Sequence, residues 1–231
     1  MKNKIITFSY DDGVLQDIRL TELFRKYNLG ATFNLNSSLL GHPGSLIRNG
    51  VQVDHIKVKP EDIKDVYSGF EIAGHTLTHP FLPDMEKDDI IKQVEEDRIK
   101  LSELAGYKVE GFAYPGGGVN YNTRVAQIIK ENTNIKYART TVETNSFDIQ
   151  DNLYEFKPSV YHLNYDKMVE LGKEFVNLKC TEKKIFYIWG HSYEFDAWNF
   201  WDKFEEFLKL ISFRDDIDYL SNKEAFCIGE I

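Results

Sequence analysis

The sequence predicts an α/β fold of parallel strands with helices outside them. Three observations carry this. Short apolar runs alternate with helix-period segments along the whole chain, the pattern of βα units. Each cluster of chemically reactive side chains stands at the C-terminal end of one of those runs, where α/β barrels gather their sites. Finally, no repeat, linker or low-complexity segment divides the 231 residues, a length common for single barrels, so one domain over 1–231 is expected. A barrel is the economical architecture, and a doubly wound open sheet shares the same pattern.

Composition narrows the function classes. Hydrophobic content of 42% and charged content of 28% are ordinary for a globular protein. A formal net charge of −9 argues against nucleic acid, whose phosphates demand a basic surface. No apolar stretch approaches the roughly 20 residues of a membrane helix, so no membrane partner is expected. Cys180 and Cys227 are too few and too unpatterned for a disulfide framework and read as buried thiols. Reactive residues begin so close to Met1 that no signal peptide is visible, and a cytoplasmic location follows; a processed secreted enzyme would read the same.

The first strand is Ile5-Ile6-Thr7-Phe8, short, β-branched and bounded by Gly13. It leads into Asp11 and Asp12. Neighbours on an extended backbone point to opposite sides, so one carboxylate can bind a cation while the other takes a proton. Alone, Asp-Asp-Gly also reads as a turn. Leu15, Ile18, Leu20, Leu23, Phe24 and Tyr27 then recur at helical spacing, and Asn28-Leu29-Gly30 ends that helix. Residues 31–36 alternate as a second strand. Residues 37–59 read as a long loop or small hairpin insertion, with His42 and His55 as solvated loop residues. Pro60-Glu61-Asp62-Ile63 opens a short helix.

A third strand, residues 70–73, runs into Gly74-His75-Thr76-Leu77-Thr78-His79-Pro80. On one helical turn, positions i and i+4 share a face, so both imidazoles can converge on one ion, braced by Thr76 and Thr78. Two His and one Asp around an open position form the ligand set of a catalytic zinc site. Asp12, His75 and His79 are therefore the candidate metal ligands, for one divalent ion: zinc first, cobalt or nickel next. Residues 86–105 form an amphipathic helix with Ile91, Val94, Leu101 and Leu104 on its stripe. Strand 112–114 enters the glycine-rich loop Pro115-Gly116-Gly117-Gly118, whose backbone N–H groups can approach a ligand closely. A helix over 123–131 and a strand over 137–141 follow. Residues 143–160 have no clear period, and Asp148, Asp151 and His162 read as surface residues. The remaining elements are a helix (163–178), a strand (185–189) ending at His191, a helix (198–211) carrying Trp198 and Trp201 for packing, and a short strand (218–220).

In this order the segments resemble the polysaccharide deacetylases, carbohydrate esterase family 4. Thr7-Phe8-Ser9-Tyr10-Asp11-Asp12-Gly13 is a stretched form of the family's Thr-Phe-Asp-Asp-Gly, His75-Thr76-Leu77-Thr78-His79 matches its His-Ser/Thr-x-x-His in full, and Trp189-Gly190-His191 corresponds to Leu-x-His. The resemblance covers residue 5 to about 191. It implies a distorted seven-stranded (β/α) barrel and a metal-dependent hydrolase removing acetyl groups from an N-acetylated sugar or acetylated glycan. The alternatives are a metal-dependent hydrolase of a non-sugar amide or ureide, and a carbohydrate-binding protein with a decayed site. The sequence departs from the family twice: Ala113 and Gly116 stand where the third motif has Arg and an aromatic residue, and the fourth, Asp-x-x-Asp-Trp, has no match.

The chemistry follows from the residues. An ion on Asp12, His75 and His79 leaves room for water, and Asp11 is the candidate base beside it. A backbone N–H near Gly116 is the candidate oxyanion donor, and His191, the other histidine ending a strand, is the candidate acid. The resemblance implies the same base, ligands and acid. Arg139 is expected to supply the missing guanidinium to Asp11, since a buried carboxylate without a partner loses its charge. Glu194 and Asp196 are expected to orient His191. Tyr114, Pro115, Gly116 and Trp189 are the candidate substrate contacts, with Trp189 beside the acetyl methyl. The expected partner is an acetylated oligo- or polysaccharide.

Overall fold

The computed structural model of the chain describes residues 2–226; Cys227 lies outside them. β1 (Lys4–Asp11) is buried along its whole length. Its even residues Ile6, Phe8 and Tyr10 pack outward with Leu20, Phe24 and Phe204. Its odd residues face a more polar interior. Thr7 accepts from Asn222, and Ser9 accepts from Asn34. The strand therefore has two buried faces, as expected where helices cover a parallel sheet.

α1 (Asp17–Lys26) follows, with Leu20 and Phe24 on its buried face. Leu15 and Ile18, expected on that stripe, are exposed: Leu15 precedes the helix, and Ile18 lies off the face that buries Leu20 and Phe24. β2 (Ala31–Leu35) is buried at every position rather than alternately. Residues 37–59 contain the hairpin β3 (Ser45–Arg48) and β4 (Val51–Asp54). A 3₁₀ turn leads into α2 (Ile63–Val66), then β5 (Glu71–Gly74). The predicted helix over 86–105 is three pieces: α3 (Lys87–Ile91), a π turn at Lys92–Glu96 and α4 (Asp97–Ala105). The buried stripe runs through Ile90, Val94, Asp97 and Leu101, and Ile91 and Leu104 are half-buried beside it.

Next come β6 (Gly111–Ala113), α5 (Thr123–Asn132), β7 (Tyr137–Arg139), β8 (Val160–Tyr161), α6 (Tyr165–Asn177) and β9 (Lys184–Gly190). The last elements are α7 (Tyr193–Ala197), α8 (Trp201–Ile211), β10 (Ile217–Tyr219) and α9 (Asn222–Ala225). Trp198 thus precedes its expected helix and is exposed, whereas Trp201 is buried. Cys180 is half-buried rather than buried.

The strands are parallel and run in the order β7–β6–β5–β2–β1–β9–β8, with β10 beside the start of β1. The path nearly closes on itself. Phe156 makes a parallel bridge to Arg139 at the end of β7, and four residues later Val160 pairs with Ile188 of β9. One extended segment thus spans the gap between the first and last strands, giving the distorted seven-stranded (β/α) barrel. No helix among the described residues is long and apolar enough to cross a membrane.

Candidate active site

The C-terminal ends of β1, β5 and β9 open into one cavity of about 410 Å³. Asp11, Asp12, His75, His79, Gly116, Trp189 and His191 all line it. Four segments far apart in sequence therefore meet, as the barrel topology requires. Tyr114 and Pro115 do not reach the cavity. Tyr114 is fully buried, with its hydroxyl donating to Tyr154 O at 2.8 Å, and Pro115 is buried beside it. The chain turns away from the cavity at Tyr114 and returns only at Gly116, which takes φ +91°.

Asp11 and Asp12 diverge as expected, helped by φ +83° at Asp12. Asp11 turns inward, where Arg139 Nη2 donates to Oδ1 at 2.6 Å and to Oδ2 at 2.5 Å. Asn34, its neighbour across β2, adds a bond to Oδ1 at 2.7 Å. Burial pushes Asp11 up, but the charge of Arg139, with that of His191, outweighs it and holds the carboxyl below its usual range. Arg139 in turn lies 4.6 Å over the Trp189 ring.

Asp12 Oδ1, His75 and His79 place ligand-type atoms within 4.8 Å of one another. The His pair is not on a helical turn. It sits in a loop whose Thr76 and His79 take φ +70° and +60°. Thr76 Oγ1 accepts the His79 N–H at 3.0 Å, and Thr78 is held to Gln93 by two side-chain bonds. The Gln93 carbonyl, in the π turn, accepts from Leu77 N at 3.0 Å. The rings end 4.9 Å apart at their centroids. Loop bonding, rather than helical periodicity, brings them together.

The donor set fits a divalent ion. His75 Nδ1 lies 2.8 Å from Ala113 O; a carbonyl only accepts, so Nδ1 carries the proton and Nε2 keeps its lone pair. Burial lowers the His75 ring to about 4, which leaves it neutral. The Ala113 carbonyl therefore orients a candidate ligand, although its side chain cannot replace an arginine.

Two residues of the insertion also reach Asp12. His55 Nε2 lies 3.2 Å from Oδ2, and the buried Lys57 Nζ lies 3.3 Å from Oδ1 and donates to the Asp12 backbone O at 2.6 Å. Burial would raise Asp12, but the His55 bond and the Lys57 charge hold it well below the carboxylate range. His55 is thus no solvated loop residue. Nothing in an irregular stretch signals this; the antiparallel bridge between Val14 and Lys57 creates it.

His191 stands across the cavity, its Nε2 4.0 Å from Asp11 Oδ2. Its Nδ1 lies 3.1 Å from Glu194 Oε2. Burial would lower this ring, but Glu194, Asp12 and Asp11 together push it up to about 9. Asp196 does not join them, since it accepts from Gln16 and Trp201. His162, expected at the surface, is fully buried and 2.7 Å from Glu194.

A model of the family described as polysaccharide deacetylase matches residues 1–136. The chain belongs to the polysaccharide deacetylase family. Among curated proteins it is similar to peptidoglycan-N-acetylmuramic acid deacetylase PdaC of Bacillus subtilis (strain 168), 25% identical over 124 residues. That match covers 52% of this chain and 23% of PdaC, so the chain spans about a quarter of the relative. Among solved structures, T48 deacetylase with substrate has a TM-score of 0.61 at 15% identity, over 97% of this chain and 92% of that one. Streptococcus pyogenes deacetylase PplD in complex with acetate has a TM-score of 0.52 at 21% identity, over 64% and 61%. At these identities the two structures speak for the fold. In this member of the polysaccharide deacetylase family the guanidinium that meets Asp11 stands on β7, as Arg139.

Proposed function

We propose that the chain is a metal-dependent hydrolase that removes acetyl groups from an N-acetylated sugar or acetylated glycan. The carrying observation is that three metal-type donors, a charge-paired carboxylate and a strongly basic imidazole line one cavity. Membership in the polysaccharide deacetylase family supports the substrate class, and the name of PdaC makes peptidoglycan glycans the first to try.

Asp12, His75 and His79 would hold the ion, for which zinc is our choice. When bound, such an ion acidifies water and polarises a carbonyl. Asp11, kept ionised by Arg139, accepts a proton on its cavity side. His191, protonated at neutral pH, offers its Nε2 proton to the leaving nitrogen or oxygen. The backbone at Gly116 supplies an N–H to the developing oxyanion. The ring of Trp189, only 7% exposed, walls the cavity beside the acetyl methyl.

Acetate release from peptidoglycan glycans, chitooligosaccharides and acetylated xylan tests the reading. Turnover should vanish on chelation, return with zinc or cobalt, and fail in His75→Ala. No acetate from any of these substrates with the metal-loaded chain overturns it. A second reading, carbohydrate binding without turnover, draws on Lys57, a cation of the protein's own already against Asp12. Oligosaccharide binding with no hydrolysis at any metal loading would favour it.

A further inference from the structure

Behind the imidazole of His191 lies another. His162, just after β8, has no exposed surface, and its backbone N–H donates to Trp189 O at 2.9 Å. Its ring rests on the backbone of Gly190. A Cβ at that glycine would stand 2.5–2.6 Å from the ring's Cδ2, Cγ and Nε2. Glycine is therefore required between Trp189 and His191 for the ring to lie there.

Both ring nitrogens are engaged. Nε2 is 2.7 Å from Glu194 Oε2, and Nδ1 is 3.3 Å from the Tyr10 hydroxyl. Glu194 Oε2 also meets His191 Nδ1 at 3.1 Å and the His191 backbone N–H at 3.2 Å, while Oε1 takes the Tyr161 hydroxyl. An ionised carboxylate can only accept, so both imidazoles present an N–H to it. Burial holds His162 below the usual imidazole range and so neutral; its free Nδ1 then accepts from Tyr10.

We infer that His162 is a positioning residue for His191, acting through Glu194. Its Nε2–H fixes the carboxylate where it receives the His191 Nδ1–H, and this leaves His191 Nε2 facing the cavity. The competing account is packing alone. Tyr10, Phe195 and Phe204 surround the ring and would accept other flat side chains, but packing does not require two aligned polar bonds. The ionisable groups facing His191 are Asp11 and Asp12 from β1 and the turn after it, Tyr161 from β8, and Tyr193 and Glu194 from α7.

The inference rests on the proposed role of His191, and its test has an arm that needs no turnover. Ring nitrogen NMR of His191 in the full chain is followed with pH in wild type, His162→Gln, which keeps an N–H donor, and His162→Leu, which has none. The Gln variant should keep a proton on His191 Nδ1 and the wild-type midpoint. The Leu variant should lower the midpoint by at least about one pH unit. In the kinetic arm, kcat should fall about tenfold in the Leu variant at unchanged KM and recover to within threefold in the Gln variant. Wild-type His191 signals in the Leu variant, or equal losses in both, overturn the inference. If the Leu variant does not fold, His162→Phe replaces it with the same expectations. A chain that deacetylates nothing would sink the functional reading and leave the NMR arm to decide this one.

Discussion

A guanidinium and a carboxylate with 1% and 3% of their side chains exposed depend on each other more than a surface pair does. Desolvating either ion alone costs several kcal/mol, and breaking such a pair from one side leaves an unmatched buried charge. Arg139→Met should therefore destabilise the fold by about 3–5 kcal/mol and reduce deacetylation at least a hundredfold. Arg139→Lys keeps the charge but loses the planar contact with Trp189 and one nitrogen that reaches both Asp11 oxygens, so it should recover stability before activity. Urea unfolding beside acetate release separates the two effects; equal activity in Lys and wild type would mean that charge alone suffices. The partnership was legible in the sequence because a buried carboxylate demands a counter-charge and Arg139 ends the next strand. His162 was not. The strand before it is two residues long, too short for any period, and the stretch before that carries no pattern.

At the scale of elements, the candidate metal site depends on a helix that departs from regularity. The widened turn at Lys92–Glu96 frees the Gln93 carbonyl for Leu77, while the Gln93 side chain both accepts from Thr78 N and donates to Thr78 Oγ1. Such π turns recur at functional sites because they expose backbone groups that an α-helix consumes. Gln93→Ala should loosen the loop carrying His79 and weaken zinc binding about tenfold, as removal of outer supports typically does, with little change in the unfolding midpoint. Competition with a chromogenic chelator measures the affinity; an unchanged value would mean that Thr76 alone holds the loop. The His75–His79 spacing thus pointed to two rings that do meet, but for an incomplete reason. Four-residue spacing suits a helix, yet positive φ at Thr76 and His79 achieves the same convergence in a loop, and neither residue type advertises that conformation. Strand positions were easier to read than helix boundaries, since apolar runs mark a sheet buried on both faces, whereas α1 starts after Gln16 with no side-chain cap to mark it.

The whole molecule stores several carboxyls away from water, and Asp17 shows the consequence most clearly. It joins three parts of the barrel: α1, which carries it, α2's C-cap Tyr67 and Ser192 after β9 donate to it at 2.7 and 2.6 Å. Burial outweighs these bonds and pushes its pKa up from 3.8 to about 7. Between those values the folded chain keeps a proton that the unfolded chain has released. Stability from this group is therefore full below the unfolded value and falls as pH rises, by at most about 1.4 kcal/mol per pH unit. Above about 7 both states are ionised and the slope ends. Asp12 and Glu194, held low in the folded state, act in the opposite sense: their stabilisation is present above the usual carboxylate range and disappears in stronger acid. Asp17→Asn removes only the first contribution. It should be less stable than wild type at pH 5, where neutral Asp17 fits its two donors, and should close that gap by pH 8. Urea midpoints of the two proteins at both pH values measure this; a gap independent of pH would mean that Asp17 ionises in the fold as it does in the open chain.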